Sequence, residues 1–206
     1  MIEAALMGGS LPGPWAPWEF VGSTSLLASG SVASAAKFPA GVRSGDLVVA
    51  IMSPLNEGSG TTMSAPGWDH WAKGTQDYVC TARYEEGLPP PVYTRAGVNS
   101  SFISVLVFRA LGWSTVKLQA HVSPAASISV TTKSQNELLI AIGVTPKTTR
   151  PWVVSMNGAN PVARVERNNA PAMQVYSANV EYPRQVSEIR VDAPSGAERN
   201  LILTVS

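Results

Sequence analysis

Charge is what this sequence has least of. Asp, Glu, Lys and Arg make up 14% of its 206 residues, against roughly 25% in an ordinary globular domain. The net charge is +1, and no basic run is longer than a pair. Displacing counterions from phosphates needs clustered Lys and Arg, so nucleic acid is excluded as a main partner. A surface this sparsely charged suits a protein largely covered by neighbours. The one cysteine, Cys80, excludes an intrachain disulfide, and its strand-like setting makes it a small buried hydrophobe. No Cys/His grouping has metal-ligand spacing, so neither a metal nor another cofactor is expected. The longest apolar run, Leu47 to Met52, is far short of the about 18 residues that cross a bilayer. The opening residues lack a basic n-region and do not read as a secretory signal. No stretch sustains helical spacing beyond two turns, which argues against a helical fold.

What the sequence does have is many short apolar runs divided by turn residues. Twelve strands are expected: 20–27, 47–52, 77–84, 92–95, 102–110, 116–121, 126–132, 137–144, 162–167, 172–181, 187–192 and 200–205. β-branched and aromatic residues dominate them. Clusters such as Asn56-Glu57-Gly58-Ser59-Gly60 and Ala193-Pro194-Ser195-Gly196 separate them. The runs around Ile103-Val105-Val107 and Val116-Leu118-Ala120 alternate cleanly, as strands with one apolar face do.

The second half of the chain loosely repeats the first. Gly45-Asp46-Leu47-Val48-Val49-Ala50-Ile51 returns as Asn136-Glu137-Leu138-Leu139-Ile140-Ala141-Ile142, at an offset of 91. Tyr78 to Tyr84 returns as Tyr176 to Tyr182, and Phe102 to Val107 as Asn200 to Val205, both at 98. This period exceeds the about 20–50 residues of solenoids and propellers. The expectation is an all-β, antiparallel β-sandwich of jelly-roll type, with an internal pseudo-repeat of four to six strands per half. One sandwich domain over 20–206 is expected, with halves of about 20–112 and 113–206. Residues 1–19 form an extended N-terminal arm in which Pro12, Pro14 and Pro17 interleave with Trp15 and Trp18. Such an arm either anchors on a neighbouring subunit or folds back over its own domain.

Chemistry-bearing clusters are few. Trp68-Asp69-His70-Trp71 has rings to stack on sugar faces and polar groups to bond hydroxyls, so it is the candidate glycan-binding loop. The opposing reading makes Trp68 a core lid and His70 a solvated turn residue. Ser64, Asp69 and His70 lack the convergence of a catalytic triad. The adjacent Glu85-Glu86 does not supply the opposed carboxylates of a glycosidase. No catalytic residue is assigned, and no enzyme activity is expected. Arg43, Arg83, Arg95 and Arg109 lie near strand ends and read as interface or turn anchors.

Ser44-Gly45-Asp46-Leu47-Val48-Val49-Ala50, Ala65-Pro66-Gly67-Trp68, the strand ending near Tyr84, and Val105 to Ala110 together resemble jelly-roll domains of phage virion proteins. The pattern covers residues 20–145 well and 146–206 more weakly. It departs at Ala110, where glycine is usual, and at Asp69-His70-Trp71, where a small polar residue usually follows. The resemblance implies a structural component of the virion, of tail-fibre, minor-tail or head-decoration type. It implies other virion proteins as partners, a homotrimer as the assembly, and a host-surface glycan as a further contact. No membrane insertion is expected. The motif residues also make physical sense alone. Pro66-Gly67 suits a turn with Pro presetting φ and Gly supplying positive φ, and Asp46 can bond its own backbone.

Overall fold

The computed structural model describes residues 17–28, 34–54, 62–73, 76–94, 101–122, 126–134, 136–145, 153–157, 159–167, 172–182, 186–192 and 199–206. The first half contains β1 (Glu19–Ala28), β2 (Ser34–Ala35), β3 (Leu47–Pro54), β4 (Thr62–Ser64), β5 (Asp69–Lys73), β6 (Gln76–Arg83), β7 (Val92–Thr94) and β8 (Ser101–Arg109). The second contains β9 (Val116–Val122), β10 (Ala126–Thr131), β11 (Glu137–Thr145), β12 (Val153–Asn157), β13 (Asn160–Arg167), β14 (Ala172–Val180), β15 (Val186–Asp192) and β16 (Arg199–Val205).

The halves have one topology. In the first, a five-stranded sheet runs β1-β8-β3-β6-β5 and a three-stranded sheet runs β2-β7-β4. In the second, the corresponding orders are β9-β16-β11-β14-β13 and β10-β15-β12. Adding eight to each label of the first half reproduces the second. Every ladder is antiparallel. Successive strands alternate between the two sheets of each half in a jelly-roll-like order, except β5–β6 and β13–β14, which pair within the five-stranded sheets.

The β-sandwich architecture is as the sequence indicates, but among the described residues each half has eight strands in place of the expected four to six. The additional four are β2, β4, β5 and β12. Among them, the stretch read as a loop after Trp68 is the edge strand β5, paired with β6 through Asp69↔Thr81, His70↔Cys80 and Trp71↔Val79.

Both faces of the central strands are covered. Successive strand residues point to opposite sides, yet Leu47 to Met52 of β3 are at most 1% exposed and Leu138 to Ile142 of β11 at most 2%. The two five-stranded sheets pack on one another, which accounts for one face of each. Met63 of β4, and Val130 of β10 with Met156 of β12, join the same contiguous core from the three-stranded sheets. Each central strand therefore carries an unbroken apolar run, the pattern of a strand buried on both sides.

The ladders also set the repeat. Leu47 pairs with Arg83 and Phe108, and Leu138 pairs with Asn179 and Val205. With Leu47 and Leu138 equivalent at the expected offset of 91, Arg83 corresponds to Asn179 and Phe108 to Val205. The later offsets are thus 96 and 97 where the sequence suggests 98. A slip of two in β14 keeps every side chain on its face, so the apolar pattern does not reveal it. A slip of one in β16 inverts the faces. It too leaves no trace, because Ile103 to Phe108 and Leu201 to Val205 are all buried.

Candidate functional site

The junction between the halves is where the sequence does its least obvious work. Each half opens with a tryptophan just ahead of its first strand: Trp18 before β1 and Trp113 before β9. Both are buried. Trp113 Nε1 donates to the carbonyl of Gly45 in the first half at 2.8 Å, and Trp18 Nε1 donates to the carbonyl of Asn136 in the second at 2.9 Å. Gly45 and Asn136 are equivalent positions, and both adopt positive φ, at 90° and 55°. The rings meet at the centre, with centroids 6.2 Å apart and planes tilted by 44°. When residue i of one unit meets j of the other and j meets i, the contact is isologous, as in a two-fold dimer. The two halves of the chain are braced reciprocally by these tryptophans.

The two accepting turns are held by carboxylates at equivalent positions. Asp46 is 2% exposed, and its Oδ2 accepts the backbone N–H of Arg43 at 2.8 Å. Arg109 also grips it through both oxygens, Nε to Oδ1 and Nη2 to Oδ2, each at 2.8 Å, and reaches the carbonyl of Gly41 at 2.9 Å. Donating to the Asp46 carboxylate raises the Arg109 pKa above its ordinary value. Glu137 is 5% exposed, and its Oε1 accepts from the backbone of Ser134 at 2.7 Å and Lys133 at 2.9 Å. Arg83 lies over the Trp113 ring, 4.2 Å from its centroid, and donates to the Trp113 carbonyl. Arg83 and Arg109 are therefore anchors, and Arg95 lies outside the described residues.

The candidate glycan segment is divided by the fold. Ala65-Pro66-Gly67-Trp68 is a turn closed by Trp68 N–H to Ala65 O at 3.1 Å, with Gly67 at φ 81°. Trp68 is buried, its ring stacks on Phe38 with centroids 6.2 Å apart, and its Nε1 donates to Pro89 O at 3.1 Å. Trp71 is half-buried and donates to Thr81 Oγ1 at 2.8 Å. Asp69 and His70 are exposed. Alternation along β5 separates these two. His70 Nδ1 lies 3.3 Å from the buried Cys80 Sγ, on the face towards Ala65. Asp69 lies on the other face, in a cleft it shares with Arg83 and Trp113.

Of the arm residues, Pro12, Pro14 and Trp15 lie outside the described residues, Pro17 is exposed, and Trp18 is docked within its own chain. Sequence reasoning did not single out Trp113. The available signal was positional: it precedes the first strand of its half as Trp18 does, where the chain reads Pro17-Trp18 and Gly112-Trp113.

No family model, no curated protein and no solved structure matches this chain.

Proposed function

We propose that this chain is a non-enzymatic structural protein of a phage virion, of tail-fibre, minor-tail or head-decoration type, which attaches to neighbouring virion subunits. The observation that carries the reading is what the resembling motifs do in the fold. Gly45 and Asp46 build the turn that receives Trp113, Pro66 and Gly67 build the turn that seats Trp68, and Arg109 locks Asp46. These motif residues are scaffold parts, which fits a family characterised by its scaffold. Duplication and a low charge content fit a subunit designed to be covered.

The test is light scattering after size-exclusion chromatography, on the full chain and on a chain lacking residues 1–16, which leaves Trp18 in place. A homotrimer that dissociates on truncation is the expected result, and puts the arm at the subunit contact. A monomer in both forms overturns self-assembly, and turnover of cell-envelope polymers overturns the non-enzymatic assignment.

A second reading, recognition of a cell-surface glycan, is favoured by one observation: Asp69, exposed on the edge strand, faces a cleft at the junction of the halves.

A further inference from the structure

The cleft has a volume of about 240 Å³. Its walls come from both halves. Asp69, Thr81 and Arg83 belong to β5 and β6, while Trp113, Ser114 and Thr115 lead into β9. The cleft therefore exists only while the halves are docked.

Internal duplication provides a control on which of these residues the fold requires. Val49 pairs with Thr81, which pairs with Asp69. The equivalent Ile140 pairs with Ser177, which pairs with Ala163. The second half thus keeps the tryptophan, as Trp18, but has Ala163 in place of Asp69 and Asn179 in place of Arg83. The brace is common to both halves, whereas the carboxylate and guanidinium occur in one. The topology does not demand them.

The chemistry of the lining narrows the ligand. Thr81 is fully buried and its Oγ1 accepts from Trp71, so it forms the floor of the cleft. Ser114 Oγ donates to Ser206 O at 3.2 Å and keeps lone pairs to accept with. Arg83 is fixed over Trp113 and partly spent on its carbonyl, so only its remaining N–H groups can face a ligand. Asp69 is an exposed acceptor. One carboxylate beside one guanidinium leaves the wall without net charge, which favours a neutral ligand that both donates and accepts. A monosaccharide does both: two adjacent hydroxyls donate to a carboxylate while another of its oxygens accepts from Arg. The volume is below the about 300–1,000 Å³ of sites for drug-sized ligands, and suits a single ring.

We propose that this cleft binds one neutral saccharide unit, with Asp69 accepting from adjacent hydroxyls and Arg83 donating to ring or hydroxyl oxygens. The proposal rests on the glycan reading above, and replaces Trp68 to Trp71 as the contact surface with Asp69, Arg83, Ser114 and Thr115.

The test is amide NMR titration of the full chain with the methyl glycosides of glucose, galactose, mannose, rhamnose and N-acetylglucosamine, and with alanine as a zwitterionic control. The expected result is saturable shifts at the amides of 81–83 and 113–116 with at least one glycoside. Asp69→Asn should weaken that binding about tenfold or more, with the rest of the spectrum unchanged because Asp69 is exposed. Arg83→Lys, which keeps the charge, should weaken it less than Asp69→Asn. Shifts from alanine alone, or binding indifferent to Asp69→Asn, overturn the proposal. Glycoside shifts confined to 34–38 and 62–65 overturn this cleft while sustaining glycan recognition. No shift with any glycoside overturns both.

Discussion

The two halves solve one problem with different residues. Each must turn sharply into its central strand while presenting a carbonyl to the other half's tryptophan. The first half uses Gly45 at positive φ, a short Asp46, and Arg109 reaching back from the end of β8. The second uses Asn136 at positive φ and a longer Glu137 that takes two backbone N–H groups itself. The position corresponding to Arg109 is Ser206, which accepts from the backbone of Ser114 and Thr115 at 2.7 and 2.9 Å. What the fold requires is a left-handed residue followed by a buried carboxylate. Which residue provides each is free, provided the backbone donors are satisfied.

The largest effect expected from breaking this comparison is at its centre. Trp18→Ala and Trp113→Ala should each cost about 3–5 kcal/mol in urea unfolding, as truncated buried tryptophans do. Because the rings touch, the double variant should lose less than the two losses summed, by about 1 kcal/mol. Strict additivity would mean the rings do not support each other.

The carboxylates come next. Asp46→Ala leaves Arg109 without its partner and should cost about 3 kcal/mol. Glu137→Ala strands two backbone N–H groups and should cost about 2 kcal/mol. The order of the two sharpens the comparison: equal losses in the same denaturation experiment would show that Arg109 adds nothing to the first turn.

The left-handed positions give the smallest effect. At Gly45 an added Cβ meets nothing nearer than Arg83 Nη1 at 3.9 Å, so the cost of Gly45→Ala is backbone strain, about 1–2 kcal/mol. Asn136→Gly relieves the same strain and should change stability by no more than about 0.5 kcal/mol. Thermal unfolding of the pair checks both. A destabilised Asn136→Gly would point to a side-chain role for Asn136 beyond its backbone angle.

Much of the fold was legible in the sequence. All twelve expected segments are strands, because each holds enough apolar or β-branched residues to show its period. The four missed strands are of another kind. Ser34–Ala35 and Thr62–Ser64 are too short to show alternation. Asp69–Lys73 is an edge strand with charged ends, and Val153–Asn157 pairs on one side only. The turn roles of Gly45, Asp46, Pro66 and Gly67 were legible because their chemistry is local. The site was less so. Asp69 was visible, but Trp113, Arg83 and Thr115 reach it through long-range pairing that a one-dimensional pattern does not record. The opposite facing of Asp69 and His70 follows only once 69–73 is known to be a strand.

The reciprocal brace is tested most directly by hydrogen exchange on the full chain with Trp18→Phe and Trp113→Phe, each of which removes one indole N–H and keeps an aromatic ring. The pattern should be crossed. Trp113→Phe should lower protection at Arg43, Gly45 and Asp46 of the first half, and Trp18→Phe at Lys133, Ser134 and Asn136 of the second. If each variant loosens only the half that carries it, the tryptophans do not brace the halves reciprocally.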